Sequence, residues 1–260
     1  MNYLPLIDLD HGAVEYRWIE GDRAREPLVF LHEGLGCVAM WERFPAAIAR
    51  ASGRSALVYS RHGHGGSAPG QVPRSADYLH LEAFDVLPEL LDRLQVCRPV
   101  LVGHSDGGSI ALLYAGAQPT SGLVLMAPHV FVEPATVAGV ATAVRAYREG
   151  DLARRLAALH DRPDAMFNAW SEVWLSSEFR SWNIESCLPR VSCPVLLLWG
   201  TDDPYATESQ LKAIEHGLPT SPDRMDLLGC GHSPHLERAG ETQAAVLTFL
   251  HTLSAEGGDR

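Results

Sequence analysis

Sixteen consecutive residues, Pro99-Val100-Leu101-Val102-Gly103-His104-Ser105-Asp106-Gly107-Gly108-Ser109-Ile110-Ala111-Leu112-Leu113-Tyr114, constrain the fold more than any other stretch. Val100, Leu101 and Val102 are β-formers behind a proline, the pattern of a short strand covered on both faces. From Asp106 the chain turns small and then helical, with Ile110, Leu113 and Tyr114 on one face. Gly103-x-Ser105-x-Gly107 occupies the junction. A serine there sits on a sharp, strained turn, and the glycines keep side chains out of a place where backbone segments nearly touch.

That placement suits nucleophilic chemistry. A serine hydroxyl is a weak nucleophile until a base takes its proton, and this one opens a helix. The N–H of Asp106 then faces the oxyanion formed when Ser105 attacks a carbonyl. Asp106 fits the nucleophile position poorly. The turn wants small residues two before and two after, which are Gly103 and Gly107 around Ser105 but His104 and Gly108 around Asp106.

The whole chain has 260 residues, enough for one large domain. With 46% hydrophobic and 20% charged residues it has a globular composition. A net charge of −11 without a basic run argues against nucleic acid and anionic membrane surfaces as partners. The first residues lack the basic and apolar regions of a leader, and no apolar run is long enough to span a bilayer. Cys37, Cys97, Cys187, Cys193 and Cys230 are odd in number and contain no C-x-x-C, which suits reduced thiols. A cytoplasmic protein, monomer or homodimer, acting on a small molecule is expected, with an unstructured tail over 255–260.

Strand-like runs at 4–9 and 14–19 flank His11-Gly12 and predict a hairpin. Buried strands are expected at 28–31, 56–60, 123–127 and 193–199, and a further strand at 224–228. Helices are expected at 40–51, 78–95, 208–216 and 241–253. This alternation is that of an α/β fold with a mostly parallel sheet flanked by helices. Between about 133 and 183 the pattern is helical only, rich in aromatics such as Phe167, Trp170, Trp174 and Trp182. It reads as a helical cap inserted over 129–189 into a core of 1–128 and 190–260. Its aromatics are expected to be core first, with Trp170 and Trp174 also candidates for substrate contact.

Two loops follow strands: Gly200-Thr201-Asp202-Asp203 and Gly229-Cys230-Gly231-His232-Ser233-Pro234-His235. They lie at the edge where open α/β sheets bind ligands. The chain order is thus Ser, Asp, His. With these loops, Gly103-His104-Ser105-Asp106-Gly107-Gly108 and Arg61-His62-Gly63-His64-Gly65-Gly66-Ser67, the chain resembles the α/β-hydrolase superfamily over essentially its whole length. The acidic residue after the serine makes it similar to small biphenyl hydrolase-like (valacyclovirase-type) esterases.

The resemblance implies Ser105 as nucleophile, His232 as base and then acid, and an aspartate orienting the imidazole. Asp203 holds the usual acid position, with Asp202 as the alternative; His235 is the alternative base. The oxyanion hole is expected to combine the N–H of Asp106 with that of Gly34 or Leu35, Leu35 being favoured. His32-Glu33-Gly34-Leu35-Gly36 departs from the family's His-Gly and looks like a one-residue insertion. Neither metal nor cofactor is expected. His62-x-His64 lacks the Asp-His continuation of a metallohydrolase, and Gly63 to Gly66 precede no phosphate-loop Lys-Ser/Thr. Cys37 and Cys230 read as small buried fillers, and Arg61 as a loop anchor held by an ion pair.

These features imply a hydrolase of a small ester, thioester or lactone. A carbon–carbon bond hydrolase, a cofactor-free perhydrolase and a non-catalytic binding protein are the alternatives on the same fold. Asp106 and Glu33 add two carboxylates near the nucleophile. In one reading Asp106 serves helix N-terminal donors, while Glu33 faces solvent or pairs with Arg61. In the other, one of them binds a substrate ammonium, as in an amino-acid ester.

Overall fold

The computed structural model describes residues 4–256. Eight strands form one sheet: β1 (Leu6–Leu9), β2 (Gly12–Ile19), β3 (Leu28–Leu31), β4 (Ala56–Tyr59), β5 (Val100–His104), β6 (Gly122–Met126), β7 (Val195–Gly200) and β8 (Asp223–Leu227). Their spatial order is β1-β2-β4-β3-β5-β6-β7-β8. The opening hairpin is antiparallel and joins β4 antiparallel, and every later pairing is parallel. The four strands β3 to β6 bury every side chain, as parallel strands under helices must.

The helices are α1 (Phe44–Ser52), α2 (Tyr78–Leu81), α3 (Leu87–Arg93), α4 (Asp106–Ala115), α5 (Pro134–Glu149), α6 (Leu152–Ala157), α7 (Pro163–Leu175), α8 (Glu208–Gly217), α9 (Pro234–Glu237) and α10 (Ala239–Glu256). Period-2 alternation divides the strands between two cores. Leu28, Phe30, Val100 and Val102 pack under α1 and α10 with Trp41, Ile48, Val246 and Phe249. Val29, Leu31 and Leu101 pack on the opposite side with Ile110, Leu112, Leu87 and Leu211.

Three expected helices differ in detail, two of them for the same reason. The segment 40–51 is a 3₁₀ turn at Val38–Trp41 followed by α1, with Glu42 between them at φ 51°. Pro45 has no N–H for the Trp41 carbonyl, so one helix cannot run through and a new one starts with the proline in its first turn. Likewise 78–95 is continuous only through a π turn at Glu82–Val86, immediately before Pro88. A wider turn accommodates a ring that would meet the carbonyl four residues back. At the other end of the chain, α10 runs through Glu256; the tail from 257 lies outside the described residues.

Between β6 and β7 the chain runs through α5, α6, α7 and two 3₁₀ turns, Phe179–Ser181 and Glu185–Arg190. Its two ends leave the sheet side by side: the Ile184 N–H donates to the Val130 carbonyl at 2.7 Å, and Phe131 bridges Asn183. Phe179 and Trp182 stack at 5.2 Å, and Trp174 meets both edge-on. These rings are continuous with the core of the sheet.

Candidate active site

Ser105 is held at φ 52°, ψ −116°, between β5 and α4. The strain persists because the surroundings leave no alternative. A Cβ on Gly107 would lie 1.9 Å from the Leu31 carbonyl oxygen, and one on Gly103 would lie 2.3 Å from the Gly107 oxygen. Both obstacles are backbone. Gly107→Ala is therefore expected to destabilise the fold by at least ~3 kcal/mol, read as a lowered Tm or loss of soluble protein.

The loops that carry Asp203 and His232 are brought together at Gly200. A Cβ there would lie 2.1 Å from the Gly231 oxygen, and the Asp202 N–H donates to the Cys230 carbonyl at 2.9 Å. The His232 Nδ1 then donates to Asp203 Oδ2 at 2.8 Å. Asp203 Oδ1 accepts the Tyr205 N–H at 2.8 Å, and the Tyr205 ring packs against His232. Burial works to raise the Asp203 pKa, but His232 and the Tyr205 N–H outweigh it and hold the carboxyl below its ordinary value. The neighbouring Asp202 is exposed and takes only the Thr201 hydroxyl, at 3.2 Å. His235 is buried against Trp41, Phe44 and His104, and no hydrogen bond links it to Asp203 among the described residues. Among the described residues Ser105 Oγ makes no hydrogen bond to His232, a contact that in such sites tightens when substrate is bound.

One supporting residue escaped the sequence reading. His104, buried beside Ser105, donates from Nε2 to the His232 carbonyl at 2.7 Å and so ties the turn between β5 and α4 to the loop that carries His232. Its position two residues after Val102 carried a signal only of size. His129 also approaches His232, with ring centroids 6.0 Å apart.

The loop after β3 is pinned through the Glu33 carbonyl. It accepts from His32 Nδ1 at 2.7 Å, Arg61 Nη2 at 3.0 Å and the Gly36 N–H at 3.0 Å. His32 Nε2 accepts the Arg61 N–H at 3.0 Å, so the neutral ring with its proton on Nδ1 serves both contacts. Arg61 anchors this loop through the carbonyls of His32 and Glu33 more than through the ion pair expected of it, with Asp106 Oδ2 3.6 Å away.

Two expectations for this loop need correction. The Leu35 N–H is engaged by the Glu33 carboxylate, so it is not free to meet an oxyanion. The Gly34 N–H has no partner among the described residues, which makes it the available donor. The Glu33 side chain thus neither faces solvent alone nor pairs with Arg61. Asp106 differs too: instead of serving helix donors, it accepts the Tyr78 hydroxyl at 2.7 Å, and that hydroxyl accepts Trp174 Nε1 at 2.9 Å.

Glu33, Gly34, Leu35, Ser105, Asp106, His129, Trp170, Trp174, Tyr205 and His232 line one cavity of about 250 Å³. Helices α5 and α6 complete its wall with Val140, Leu152 and Arg155. A wider groove of about 750 Å³ lies at the opposite end of the parallel strands, between Trp18, Pro27 and Arg98, and contains none of these residues. His62 Nε2 donates to the Gly12 carbonyl at 2.9 Å, and the two ring nitrogens of His64 each lie 3.1 Å from a carbonyl, those of His62 and Gly34, one of which the neutral ring's single N–H serves. Burial pushes the thiols of Cys37 and Cys230 up to about 11.

Six buried imidazoles are expected to make the fold acid-sensitive. Burial holds His32, His64, His104 and His129 below the usual range, and takes His160 and His235 to about 4. In the unfolded chain each takes up a proton near pH ~6.5, so below that the unfolded state binds more protons. The stabilising difference is whole above pH ~6.5 and falls by ~1.4 kcal/mol per pH unit for each ring until its folded pKa is reached. Against a total stability of ~5–15 kcal/mol, unfolding is expected near pH ~5, before most carboxylates titrate. Circular-dichroism melts from pH 7.5 downward check this, and a Tm unchanged at pH 5 contradicts it.

Residues 28–246 match the family model described as the alpha/beta hydrolase family. The chain is 24% identical over 271 aligned residues to the sn-1-specific diacylglycerol lipase ABHD11 of Xenopus tropicalis, covering 92% of this chain and 82% of that protein. With the mouse (Mus musculus) ABHD11 lipase it shares 32% identity over 112 residues, which is 43% of this chain and about a third (35%) of the relative. A solved structure from work on carboxylesterases of Nitrososphaera gargenis superposes with a TM-score of 0.79 at 18% identity, over 97% of this chain and all (100%) of the other. At that identity the likeness speaks for the fold. Among the described residues no helix is long and apolar enough to cross a membrane. With the family match spanning residues 28–246 and eight strands in one mostly parallel sheet, the chain belongs to the alpha/beta hydrolase family.

Proposed function

We propose that the protein hydrolyses small carboxylic esters, including lactones and thioesters, through an acyl-enzyme. The observation that carries this is the 2.8 Å bond from His232 to the buried Asp203 carboxylate, in the cavity that Ser105 lines. His232 takes the proton of Ser105 as the hydroxyl attacks the ester carbonyl. The N–H groups of Asp106 and Gly34 receive the oxyanion. Protonated His232, steadied by Asp203, then gives its proton to the departing alcohol. A water, deprotonated by the same imidazole, attacks the acyl-serine and releases the acid. Residues 129–189 act as a cap, placing Trp170 and Trp174 over the acyl or alcohol part.

The cavity size argues for short substrates. At about 250 Å³ it is smaller than the ~300–1,000 Å³ of sites for drug-sized ligands. The relatives named as diacylglycerol lipases act on far larger esters. p-Nitrophenyl acetate and butyrate are expected to exceed the palmitate by at least ~100-fold in kcat/KM. Equal rates across the three chain lengths contradict a closed, small pocket. A fluorophosphonate probe tests the mechanism itself: covalent label on Ser105 supports an activated serine, and no label supports a binding protein on this fold.

A further inference from the structure

A second cavity, of about 490 Å³, shares no lining residue with the one that holds Ser105. Three segments build it: the loop after β4 with Arg61, His62 and His64, the stretch from Pro69 to Arg74, and α2 with the π turn behind it. Its size is that of a small-molecule site. Tyr78 stands between the two spaces. It lines this cavity, while its hydroxyl donates to Asp106 and accepts from Trp174, both on the wall around Ser105.

Arg74 is the partly buried charge on this wall that the chain leaves unpaired. Its guanidinium carbon lies 4.9 Å from the centre of the Tyr78 ring. Among the described residues it forms no ion pair, and its Nη1 is shut off from solvent without a hydrogen-bond partner. Burial draws its pKa below the ordinary value, with Arg61 adding to this and Asp106 and Glu82 opposing it. The other charges are committed or outside. Arg61 serves the carbonyls of His32 and Glu33, Glu82 accepts the Tyr59 hydroxyl at 2.8 Å, and Asp85 is exposed. A buried donor without an acceptor is costly until a ligand supplies one. A guanidinium meets a carboxylate or a phosphate with two N–H groups at once. Here Glu82 and Asp85 disfavour a polyanion, and Pro69, Leu81 and Val86 give the wall apolar surface. One carboxylate on an apolar body satisfies both conditions.

We propose that this cavity is a second binding site, for a small organic carboxylate held by Arg74, and that its occupancy is felt at Ser105 through Tyr78. A carboxylate that takes up the guanidinium draws it away from the Tyr78 ring. The same tyrosine bonds Asp106, whose main-chain N–H receives the oxyanion, and Trp174 on the cap. Hydrolysis of a small ester releases an acid of this kind, so the site gives the product a hold on the reaction. That consequence rests on the esterase reading above; the binding itself does not.

Calorimetric titration with cyclohexanecarboxylate tests the site, with cyclohexanecarboxamide as the neutral control and inorganic phosphate as the polyanion. The wild type is expected to bind the acid with a Kd below ~1 mM, and the amide and phosphate at least ~10-fold more weakly. Arg74→Gln is expected to weaken the acid by at least ~10-fold and to leave the amide unchanged. Arg74→Lys, which keeps the charge and loses the fork, is expected to fall between, and it serves if Arg74→Gln does not fold. Protein whose Ser105 already carries a phosphonyl group is expected still to bind the acid, because that group fills the other cavity. Saturating acid is expected to slow fluorophosphonate labelling of Ser105 by at least ~3-fold to a finite floor, an effect lost in Tyr78→Phe. Equal affinity for acid and amide overturns the proposal. So does acid binding unchanged by the Arg74 variants, or abolished by the phosphonyl group. An unchanged labelling rate, or slowing that survives Tyr78→Phe, overturns the link to Ser105. Absence of any label on Ser105 defeats the esterase reading, while the titrations of wild type and Arg74 variants still decide the binding.

Discussion

Ser105→Ala is expected to lower kcat on p-nitrophenyl butyrate by ~10⁴–10⁶-fold while leaving the Tm within a few degrees of the wild type. The hydroxyl is a small part of a packed turn, and the turn itself is set by Gly103, Gly107 and the Ser105 main chain, whose N–H donates to the Met126 carbonyl at 2.9 Å. Alanine keeps that backbone and removes only the attacking oxygen. The N–H groups of Asp106 and Gly34 and the cavity remain, so a residual rate ~10³–10⁴-fold above water is expected. Fluorophosphonate labelling disappears in the same variant. Turnover near the native level in a preparation free of wild type means the reaction does not pass through this serine.

Asp203→Asn is expected to reduce kcat by ~10⁴-fold, against less than ~10-fold for Asp202→Asn. The two aspartates are adjacent in the chain and opposite in surroundings. Asp203's side chain is fully buried, accepts from His232 and Tyr205, and has its pKa held below the ordinary value. An asparagine there can meet Nδ1 with its amide N–H₂, which selects the tautomer with the proton on Nε2, the nitrogen that must accept the serine proton. Asp202 stands at the surface with a single bond to Thr201. Single-turnover acylation rates for both variants, measured beside the wild type, check the ranking. The reverse order transfers the orienting role to Asp202.

Much of this was legible in the chain itself, for a local reason in each case. The strand, turn and helix around Ser105 are written in consecutive residues: β-formers, two glycines at fixed offsets, then a helical face. The parallel strands β3 to β7 show as unbroken apolar runs because both of their faces are covered. The loops that carry Asp203 and His232 follow such strands, so their edge of the sheet was predictable from topology. At Pro45 and Pro88 the sequence carries both signals, an apolar period that continues a helix and a proline that interrupts it, and the proline prevails.

The loop after β3 shows where local reading ends. From the sequence, Glu33 looked like an insertion before a glycine, and Leu35 the donor that followed it. Only the folded loop shows the Glu33 carboxylate turning onto the Leu35 N–H, while Arg61, from the loop after β4, and the adjacent His32 hold its carbonyl. The tie from His104 to the His232 carbonyl spans 128 residues, and that from Tyr78 to Asp106 spans 28. Such bonds depend on which groups the sheet brings within ~3 Å of each other. Propensity and periodicity, which act over a few residues, determined the elements and the edge on which the site stands. The partner of each buried polar group was decided by tertiary packing, because burial leaves a donor or acceptor to be satisfied by whatever the rest of the chain places beside it.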